Sequence, residues 1–422
     1  MHAMPVMLPL AMPLPDAASA AVGIVRELRG AGHAAVLAGG CVRDLLLGQA
    51  PHDYDVATDA PPERLCELFP RARQVGVQFG VVLVKRRGRW IEVATFRSDG
   101  PYVDGRRPVS ITLSDAEHDA RRRDFTVNGM FLDPLAGTVI DYVGGLADVR
   151  AGLIRAIGDP AARFSEDYLR LVRAARFAAR LGFTIEPQTA AAVRAQAPQL
   201  ALVAAERVRE ELERMLALPS RARAWDLLGD LGLRPFLWPG ARWSDTQARR
   251  VRTLLARLPA EAPFELALAV LLADAEPGEV ERVARALTLS NAQRATVAWL
   301  VKHQADLDDP QAPTLAQFKR LMAQAAFPLL ADWARARHAD LPDGAARSAA
   351  LAARVAAIPP ERVHPPPLVT GDDLIARRVA PGPLYARVLE ALYTAQLDEQ
   401  LQTREAALAA LEQRLAAERG PE

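Results

Sequence analysis

The sequence is short of lysine and of net charge, and both shortages narrow what the protein can be. Only three of its 52 basic residues are lysine, namely Lys85, Lys302 and Lys319, so arginine carries almost all of the positive charge. Arginine binds phosphate groups bidentately, although a GC-rich genome explains the same bias. Because the net charge is only +1, no overall positive field marks the chain as a nucleic-acid binder. Any anion site must come from local placement of arginines.

Cysteine and long apolar runs are scarce as well. The two cysteines, Cys41 and Cys66, provide no disulfide framework, which fits a reducing compartment. The longest uncharged apolar run, Leu266 to Ala273, is far shorter than the roughly 20 residues that a membrane helix needs. We therefore predict a cytoplasmic protein with no membrane partner.

A length of 422 residues predicts more than one domain. Residues 1–16 are apolar and proline-rich, which predicts a disordered leader or a start codon assigned too early, with Met12 as a later candidate. Residues 17–150 alternate between helix and strand patterns and predict a small α+β domain. The predicted helices cover 17–31, 42–47 and 62–69, and the predicted strands cover 34–38, 53–58, 79–85 and 90–96, with a hairpin turn at 86–89.

Strand patterns nearly vanish after residue 150. Residues 151–220 predict a helical neck, and residues 221–422 predict an all-helical body and tail. Near the C-terminus, leucines recur at roughly heptad spacing at positions 397, 401, 408, 411 and 415. A packed helical tail is the favoured interpretation. A coiled-coil dimer is the alternative, and it is less favoured because Arg404 interrupts the apolar seam. The protein is thus expected to be a monomer or a homodimer.

A glycine pair followed by two aspartates is the most informative feature of the chain. Gly39 and Gly40 lie where a strand turns into a helix, and a backbone without Cβ atoms lets N–H groups approach a phosphate. Arg43 follows one turn later, so its charge can reach the same anion. Asp53 and Asp55 are two residues apart in a strand, which directs both carboxylates to one face. Such oxygen ligands suit Mg²⁺ shared with nucleotide phosphates, and the chemistry indicated is nucleotidyl transfer.

Two arginine-rich segments follow. Residues 121–130 place three arginines ahead of Asp124, and alternating apolar residues behind them anchor the arginines at the edge of a packed element. Residues 164–180 predict a helix with one broad charged stripe, formed by Asp167, Arg170, Arg173, Arg176 and Arg180. A solvated face is the structural alternative for the first segment, and intrahelical pairing of Asp167 with Arg170 is the alternative for the second. Intrahelical pairing stabilises a helix by only about 0.3 kcal/mol per pair. Such a small gain does not explain why the segment contains this many arginines.

The ordered segments together resemble the class II tRNA nucleotidyltransferase and bacterial poly(A) polymerase family. The matching stretches are Gly39-Gly-Cys-Val-Arg-Asp44, Asp53-Tyr-Asp55, Arg122-Arg-Asp-Phe-Thr-Val-Asn128 and Glu166-Asp-Tyr-Leu-Arg170-Leu-Val-Arg-Ala-Ala-Arg176. Tyr168 stands where the family more often has proline. The resemblance implies an α+β fold, with a small mixed-sheet, polymerase-beta-like nucleotidyltransferase head followed by an all-α neck, body and tail.

The resemblance also implies roles for the matching residues. Asp53 and Asp55 would be catalytic and hold Mg²⁺, while Asp124 and Asn128 would organise the site. A third metal carboxylate is common in this superfamily and is assigned to Glu92, with a solvent-facing strand residue as the alternative. The triphosphate would be bound by Gly40, Arg43, Arg123, Arg173 and Arg176.

Base choice is assigned by the resemblance to Asp167 and Arg170. The carboxylate accepts and the guanidinium donates, so together they imitate the edge of a pairing base. Cytosine and adenine each present an amino group beside an unprotonated ring nitrogen, whereas uracil and guanine present a carbonyl beside an N–H. CTP and ATP are therefore the expected donors, since an unpaired buried polar group costs about 1–3 kcal/mol.

The implied activity is template-independent addition of CCA to tRNA 3′ ends, with release of pyrophosphate. The segment Asp99–Pro108 resembles a flexible loop that CC-only enzymes lack, so A-only addition and poly(A) synthesis are the alternatives within the family. Two other classes of function are alternatives. His52-Asp53 and His118-Asp119 suggest an HD-type phosphohydrolase but lack further ligands in sequence, and a non-catalytic RNA-binding protein would conflict with the complete set of motif residues.

Overall fold

Two compact units make up the chain in this computed structural model, which describes residues 6–9, 14–74, 80–100, 110–380 and 382–419. The first unit comprises Met1–Gly240 with Ala286–Thr288, and the second comprises Ala241–Arg285 with Leu289–Glu422. The division after Gly240 lies about one helix pair beyond the predicted boundary at 220. The head and neck boundaries at 150 and 220 stay predictions.

A mixed sheet is the centre of the first unit. Among the described residues, eight strands form this sheet in the order β1-β10-β9-β2-β3-β6-β5-β4. Its neighbours are antiparallel except β3 and β6, which run parallel. The strands are β1 Val6–Pro9, β2 Ala35–Ala38, β3 Asp55–Thr58, β4 Arg73–Gln74, β5 Val81–Arg86, β6 Arg89–Thr95, β9 Met130–Asp133 and β10 Thr138–Asp141. Two small sheets pair β7 Arg97–Asp99 with β8 Ile111–Leu113, and β11 Leu153–Ile154 with β12 Thr184–Ile185.

Alternation of apolar residues decides which face of the sheet is covered. Val82, Val84, Ile91 and Val93 are buried on one face, against which helix α1, Ser19–Gly30, also packs. The predicted hairpin at 86–89 is confirmed. Its two turn residues, Arg87 and Gly88, have φ of 48° and 78°, the left-handed values that a tight two-residue hairpin turn requires.

The described part of the N-terminal leader, residues 6–9 and 14–16, differs from the expectation of disorder over residues 1–16. Val6–Pro9 form the edge strand β1, which pairs antiparallel with β10 from Val6 opposite Asp141 to Pro9 opposite Thr138. A proline is tolerated there because an edge strand has one side without ladder hydrogen bonds. A second difference is that Asp16–Ala18 form a short 3₁₀ turn leading into α1.

The helices of the first unit hold the two arginine-rich segments. They are α2 Gly40–Leu46, α3 Pro62–Leu68, α4 Ala116–Arg121, α5 Gly145–Ala151, α6 Pro160–Glu166, α7 Leu169–Leu181, α8 Pro187–Gln196, α9 Ala205–Leu216, α10 Arg221–Asp230 and α11 Arg234–Leu237. The predicted continuous helix over 164–180 is wrong at Asp167, which is extended (φ −151°) and separates α6 from α7. This residue therefore precedes the helix that carries the arginines.

The second unit contains helices within the described residues and no strand. They are α12 Asp245–Arg257, α13 Phe264–Leu271, α14 Pro277–Ala286, α15 Asn291–His303, α16 Leu315–Met322, α17 Phe327–His338, α18 Gly344–Ala356, α19 Pro360–Val363, α20 Gly371–Ala376, α21 Pro383–Leu397 and α22 Arg404–Arg419. Capping boxes begin α12, α15 and α16, with Ser244, Ser290 and Thr314 as the capping residues.

The C-terminal leucines pack within their own chain. Leu411 and Leu415 are buried in a cluster with Leu392, and Leu401 and Leu408 pack against that cluster. This arrangement confirms the packed helical tail and the predicted α+β head followed by helices. In the part of the chain that the structure describes, no helix is both long and apolar enough to cross a membrane.

Candidate active site

The two aspartates of the sequence motif lie at the start of β3. Strand β3 begins at Asp55, so Asp53 lies just outside the ladder, where its side chain is 82% exposed. The Nδ1 atom of His52 is 3.0 Å from an Asp53 carboxylate oxygen. Both aspartates line the same two cavities, so the structure brings them together, although the predicted strand over 53–58 begins only at Asp55.

Glu92 is the third carboxylate at this point of the sheet. The parallel register pairs Val56 with Val93, which places Glu92 on the strand next to Asp55. Enclosure by protein on several sides and then the nearby Glu92 charge raise the pKa of Asp55 to about 6. Asp55 still opens to solvent in the cleft. These neighbouring carboxylates repel one another when no cation is present. The arrangement therefore fits a divalent metal bound by Asp53 and Asp55.

The glycine pair lies beside these carboxylates, because Ala38 pairs with Asp55 across the neighbouring strands. Gly39 has φ +73°, and a Cβ there would lie 2.9 Å from Nη1 of Arg123. The backbone conformation therefore requires glycine, and a side chain at this position would also displace the Arg123 guanidinium. The neighbouring Cys41 donates its thiol to the Ala38 carbonyl, and burial raises its pKa to about 12. Cys41 is thus a small structural residue.

One cavity of about 600 Å³ contains every residue predicted to bind the nucleotide, together with Asp53 and Asp55. Nine arginines and four aspartates are among its lining residues, so the cavity is strongly suited to a polyanion. Its arginines are Arg43, Arg122, Arg123, Arg170, Arg173, Arg176, Arg180, Arg207 and Arg214, and its aspartates are Asp53, Asp55, Asp124 and Asp167. Whether each of them binds a nucleotide stays a prediction.

Arg43 is part of a buried chain of hydrogen bonds. Its guanidinium is 2% exposed and donates to Asp44 and to the side-chain oxygen of Asn128. Asn128 in turn donates to Asp124, and Asp124 accepts two bonds from Arg173 at 2.7 and 2.8 Å. Asp124 and Asn128 thus organise the wall of the cavity, and in this state Arg43 does so as well.

Electrostatics favour the charged forms along this chain. Burial opposes ionisation of Asp124, but Arg173 and the Asn128 hydrogen bond outweigh it and hold the pKa of Asp124 at about 2. Burial likewise opposes the charge of Arg173, yet Asp124 and Glu211 raise its pKa above the usual arginine value. The pair is therefore ionised at any physiological pH.

Glu211 on α9 joins two arginines of α7. It is 2% exposed and accepts from Nε of Arg176 at 2.5 Å and from Nη1 of Arg173 at 3.3 Å. Arg176 also lies over the Phe177 ring, 4.2 Å from its centroid. Sequence reasoning missed Glu211, because it lies in an acidic helical run where nothing distinguishes it from its neighbour Glu210.

Arg123 is fixed from a different side. Its Nε and Nη2 atoms donate to Asp119 at 3.2 and 2.9 Å, and Arg122 donates to the other oxygen of that carboxylate. Burial opposes ionisation of Asp119, but Arg123 and then Arg122 outweigh it and lower its pKa. Asp119 is thereby committed to arginines, which removes it as a metal ligand beside His118.

The two residues assigned to base choice are held by separate partners. Asp167 accepts bidentately from Arg207 of α9, at 3.1 and 2.8 Å. Arg170 donates to the Glu166 carboxylate and to the backbone carbonyls of Arg163 and Arg122. Their polar groups are thus oriented by neighbours rather than by each other. The sequence analysis missed the role of Arg207 as the Asp167 partner, because the two residues lie 40 positions apart.

Comparison with known families places these features in context. The family described as "Poly A polymerase head domain" matches residues 35–155, and the family described as "Probable RNA and SrmB- binding site of polymerase A" matches residues 182–243. The crystal structure of Bacillus stearothermophilus CCA-adding enzyme in complex with CTP superposes with a TM-score of 0.82 at 31% identity, covering 96% of this chain and 99% of that one. The chain belongs to the CCA-adding enzyme family.

Other members of the CCA-adding enzyme family match over a shorter part of the chain or at lower sequence identity. The CCA-adding enzyme of Geobacillus stearothermophilus is 44% identical over 230 residues, which is 54% of this chain and 56% of that protein. By sequence, the match therefore spans about half the length of the curated relatives. The Thermotoga maritima CCA-adding enzyme complexed with tRNA shares the fold, with a TM-score of 0.69 at 19% identity over 98% of this chain and 100% of that chain.

Proposed function

We propose that this protein adds CCA to the 3′ ends of tRNA, using CTP and ATP and no nucleic-acid template. The observation that supports it most is the single cavity in which the Asp53 and Asp55 carboxylates, a set of arginines and the Asp167–Arg170 pair come together. A nucleoside triphosphate needs these three kinds of group at once. The similarity over the whole chain to a CCA-adding enzyme in complex with CTP supports the same activity.

The residues divide the work along the cavity. Gly40, Arg123, Arg173 and Arg176 bind and orient the triphosphate, whose charge they offset. Arg43 reaches the triphosphate by exchanging one of its present acceptors. Asp167 and Arg170 read the base edge, and Arg207 and Glu166 keep the two polar groups in position.

Asp53 and Asp55 are proposed to hold Mg²⁺, with Glu92 as a third ligand. Within the described residues no three His, Cys, Asp or Glu side chains already form a metal site. Two carboxylates suffice for Mg²⁺, which takes its remaining ligands from nucleotide phosphates and water. When bound, the ion would stabilise charge developing on the reacting phosphate. Because both cysteines are free, we propose a cytoplasmic location.

One assay tests the activity. Purified protein is incubated with tRNA ending before CC, tRNA ending after CC, and an unrelated RNA, with CTP and ATP supplied separately and together. We expect CCA on the first tRNA and a single A on the second. Extension of the unrelated RNA by many A residues would favour poly(A) synthesis, and extension of the second tRNA alone would favour A-only addition. The segment Asp99–Pro108 that bears on this choice lies almost wholly outside the described residues.

Base selectivity is tested in the same assay with UTP and GTP. We expect CMP and AMP to be incorporated and UMP and GMP to be rejected, because their edges leave the Asp167 or Arg170 polar groups unpaired. Incorporation of UMP or GMP at rates comparable to CMP and AMP would contradict the assignment of this pair.

A further inference from the structure

A second cavity opens beside the catalytic carboxylates. Its volume is about 710 Å³, and it shares Asp53 and Asp55 with the arginine-lined cavity. Trp90 and Glu92 of β6 line this second cavity, as does Arg89, whereas the glycine pair and the α7 arginines line only the first. The two aspartates therefore stand where two chemically different cavities meet.

The proposed reaction needs ligands on both sides of these carboxylates. In phosphoryl and nucleotidyl transfer, the attacking and leaving oxygens lie roughly in line on opposite sides of the phosphorus. Arg173 and Arg176 mark the first cavity as the place of the leaving pyrophosphate. The attacking hydroxyl must then approach from the other side, which is the side of the second cavity.

Strand register shows which side chains lie on the same face of the sheet as Glu92, which lines the second cavity. Glu92 pairs with Leu83, and Leu83 pairs with Arg73 on the next strand. Lys85 pairs with Trp90 in the same ladder. Directly paired residues, and residues two apart, point to one face of a sheet. These five side chains therefore share one face.

This face is open to solvent where the opposite face is covered. Leu83 is half-buried, and the other four side chains are exposed, in contrast to the buried valines and isoleucine of the opposite face. Trp90 is 38% exposed, with the Arg73 guanidinium 4.4 Å and the Lys85 ammonium 5.6 Å from its ring centroid. An exposed aromatic ring flanked by cations is the composition of surfaces that bind single-stranded nucleic acid by stacking and phosphate contact.

A purely structural role explains less of this arrangement. Cation–π contacts at exposed sites stabilise a fold only slightly, and the same two cations could stabilise a ring anywhere on the surface. Their position on the same face as Glu92 and Asp55, at the side from which the hydroxyl must come, is what the structural interpretation leaves unexplained.

We propose that the face formed by Arg73, Leu83, Lys85, Trp90 and Glu92, here called the acceptor platform, receives the 3′-terminal nucleotides of the acceptor RNA. The Trp90 ring stacks on a terminal base, and Arg73 and Lys85 contact the phosphates that precede it. The terminal hydroxyl then lies beside Asp53 and Asp55. This assignment rests on the proposed function, because it identifies where the second substrate of that reaction binds.

A binding assay tests the platform without any chemistry. A tRNA ending before CC carries 2-aminopurine at its 3′ terminus, and its fluorescence is quenched when the base stacks on an aromatic ring. We expect quenching by the wild-type protein, most of the quenching by Trp90→Phe, and little by Trp90→Ala, with RNA binding weakened about 10-fold in Trp90→Ala. Leu135→Ala is the control for an exposed apolar side chain, since Leu135 is 42% exposed and lies outside both cavities.

Kinetics give a second readout. Trp90→Ala should raise the KM for tRNA about 10-fold and leave the KM for CTP unchanged. Lys85→Gln is a milder variant on an exposed side chain, so it keeps the platform testable if Trp90→Ala fails to fold. It should weaken RNA binding and lower the slope of log Kd against log salt concentration by about one.

The outcomes separate this inference from the proposed function. An active wild-type protein whose Trp90→Ala and Lys85→Gln variants keep quenching, KM for tRNA and salt slope would overturn the platform while leaving the function standing. An inactive wild-type protein would overturn the function, and the quenching assay would still decide whether an RNA 3′ end stacks on Trp90. A rise in the KM for CTP equal to that for tRNA would also contradict the platform.

Discussion

Helices α7 and α13 are both buried, but they bury opposite kinds of side chain. Helix α13 buries only apolar residues, with Leu266 through Val270 all 0% exposed. Helix α7 buries Arg170 and Arg176 along with its apolar residues, at 8% and 7% exposure. Burial of apolar side chains alone, as in α13, is the arrangement that stability favours.

The difference between the two helices follows from the energetic cost of burying a charge. An arginine removed from water is retained only when carboxylates and carbonyls satisfy it, and α7 obtains those from Glu166, Asp124 and Glu211 on other segments. A helix needed only for packing would not require this network. The buried arginines therefore indicate a surface organised for an anion, and the apolar α13 indicates a scaffold.

The largest expected effect is the loss of chemistry on removing a single carboxylate. Asp53→Ala should abolish CMP and AMP transfer, because a proposed metal ligand is lost. Its side chain is 82% exposed, so the free energy of unfolding should change by no more than about 0.5 kcal/mol. Transfer assays and thermal unfolding measure the two. Asp245→Asn, on an exposed residue of the second unit, is the control, and retained transfer in Asp53→Ala would refute the metal assignment.

Paired substitutions in α7 and α13 test the contrast between the helices directly. Arg173→Met leaves Asp124 buried without its main partner, whereas Glu211 keeps Arg176, and should cost about 3–5 kcal/mol of stability. Leu268→Ala should cost about 2–5 kcal/mol through the cavity it creates. At a temperature where both variants stay folded, only Arg173→Met should raise the KM for CTP. An equal rise in Leu268→Ala would break the distinction between site and scaffold.

Acid should weaken the arginine network through Asp124. Its pKa of about 2 in the fold lies below the ordinary value near 3.9, so its charged form stabilises the fold above about pH 4. That contribution, of about 2 kcal/mol, is lost as the pH falls from 4 toward 2. Urea unfolding at pH 6, 4 and 3 should show a flatter pH dependence for Asp124→Asn than for the wild type. Parallel curves would show that Asp124 does not supply this contribution to the free energy of unfolding.

The smallest expected effect is a change in base choice. Asp167→Asn replaces an acceptor with a group that can also donate, so discrimination between CTP and UTP should fall about 10-fold, from one buried polar mismatch. The ratio of kcat/KM for the two nucleotides measures it. Asp372→Asn, an exposed carboxylate in α20, serves as the comparison. Unchanged selectivity in Asp167→Asn would move base choice away from this residue.

Local patterns predicted much of the head and of the site. The alternation around Asp55 and Val56 predicted β3, and Arg86-Arg87-Gly88-Arg89 predicted the hairpin, because period-2 burial and left-handed turn residues are local properties. The helix break at Asp167 was missed, since no proline or glycine marks it. The edge strand at Val6–Pro9 was missed because its partner β10 lies more than a hundred residues away in the chain.

Residue spacing was enough to identify the chemical groups available for nucleotidyl transfer, namely the glycine pair, the aspartates and the arginine runs. The partner of each group depends on the tertiary structure. Arg207 meets Asp167, Glu211 meets Arg173 and Arg176, and Glu92 meets Asp55 because helix packing and strand register bring together segments that are distant in sequence. Pairing of buried charges depends on those distances, and no local pattern records them.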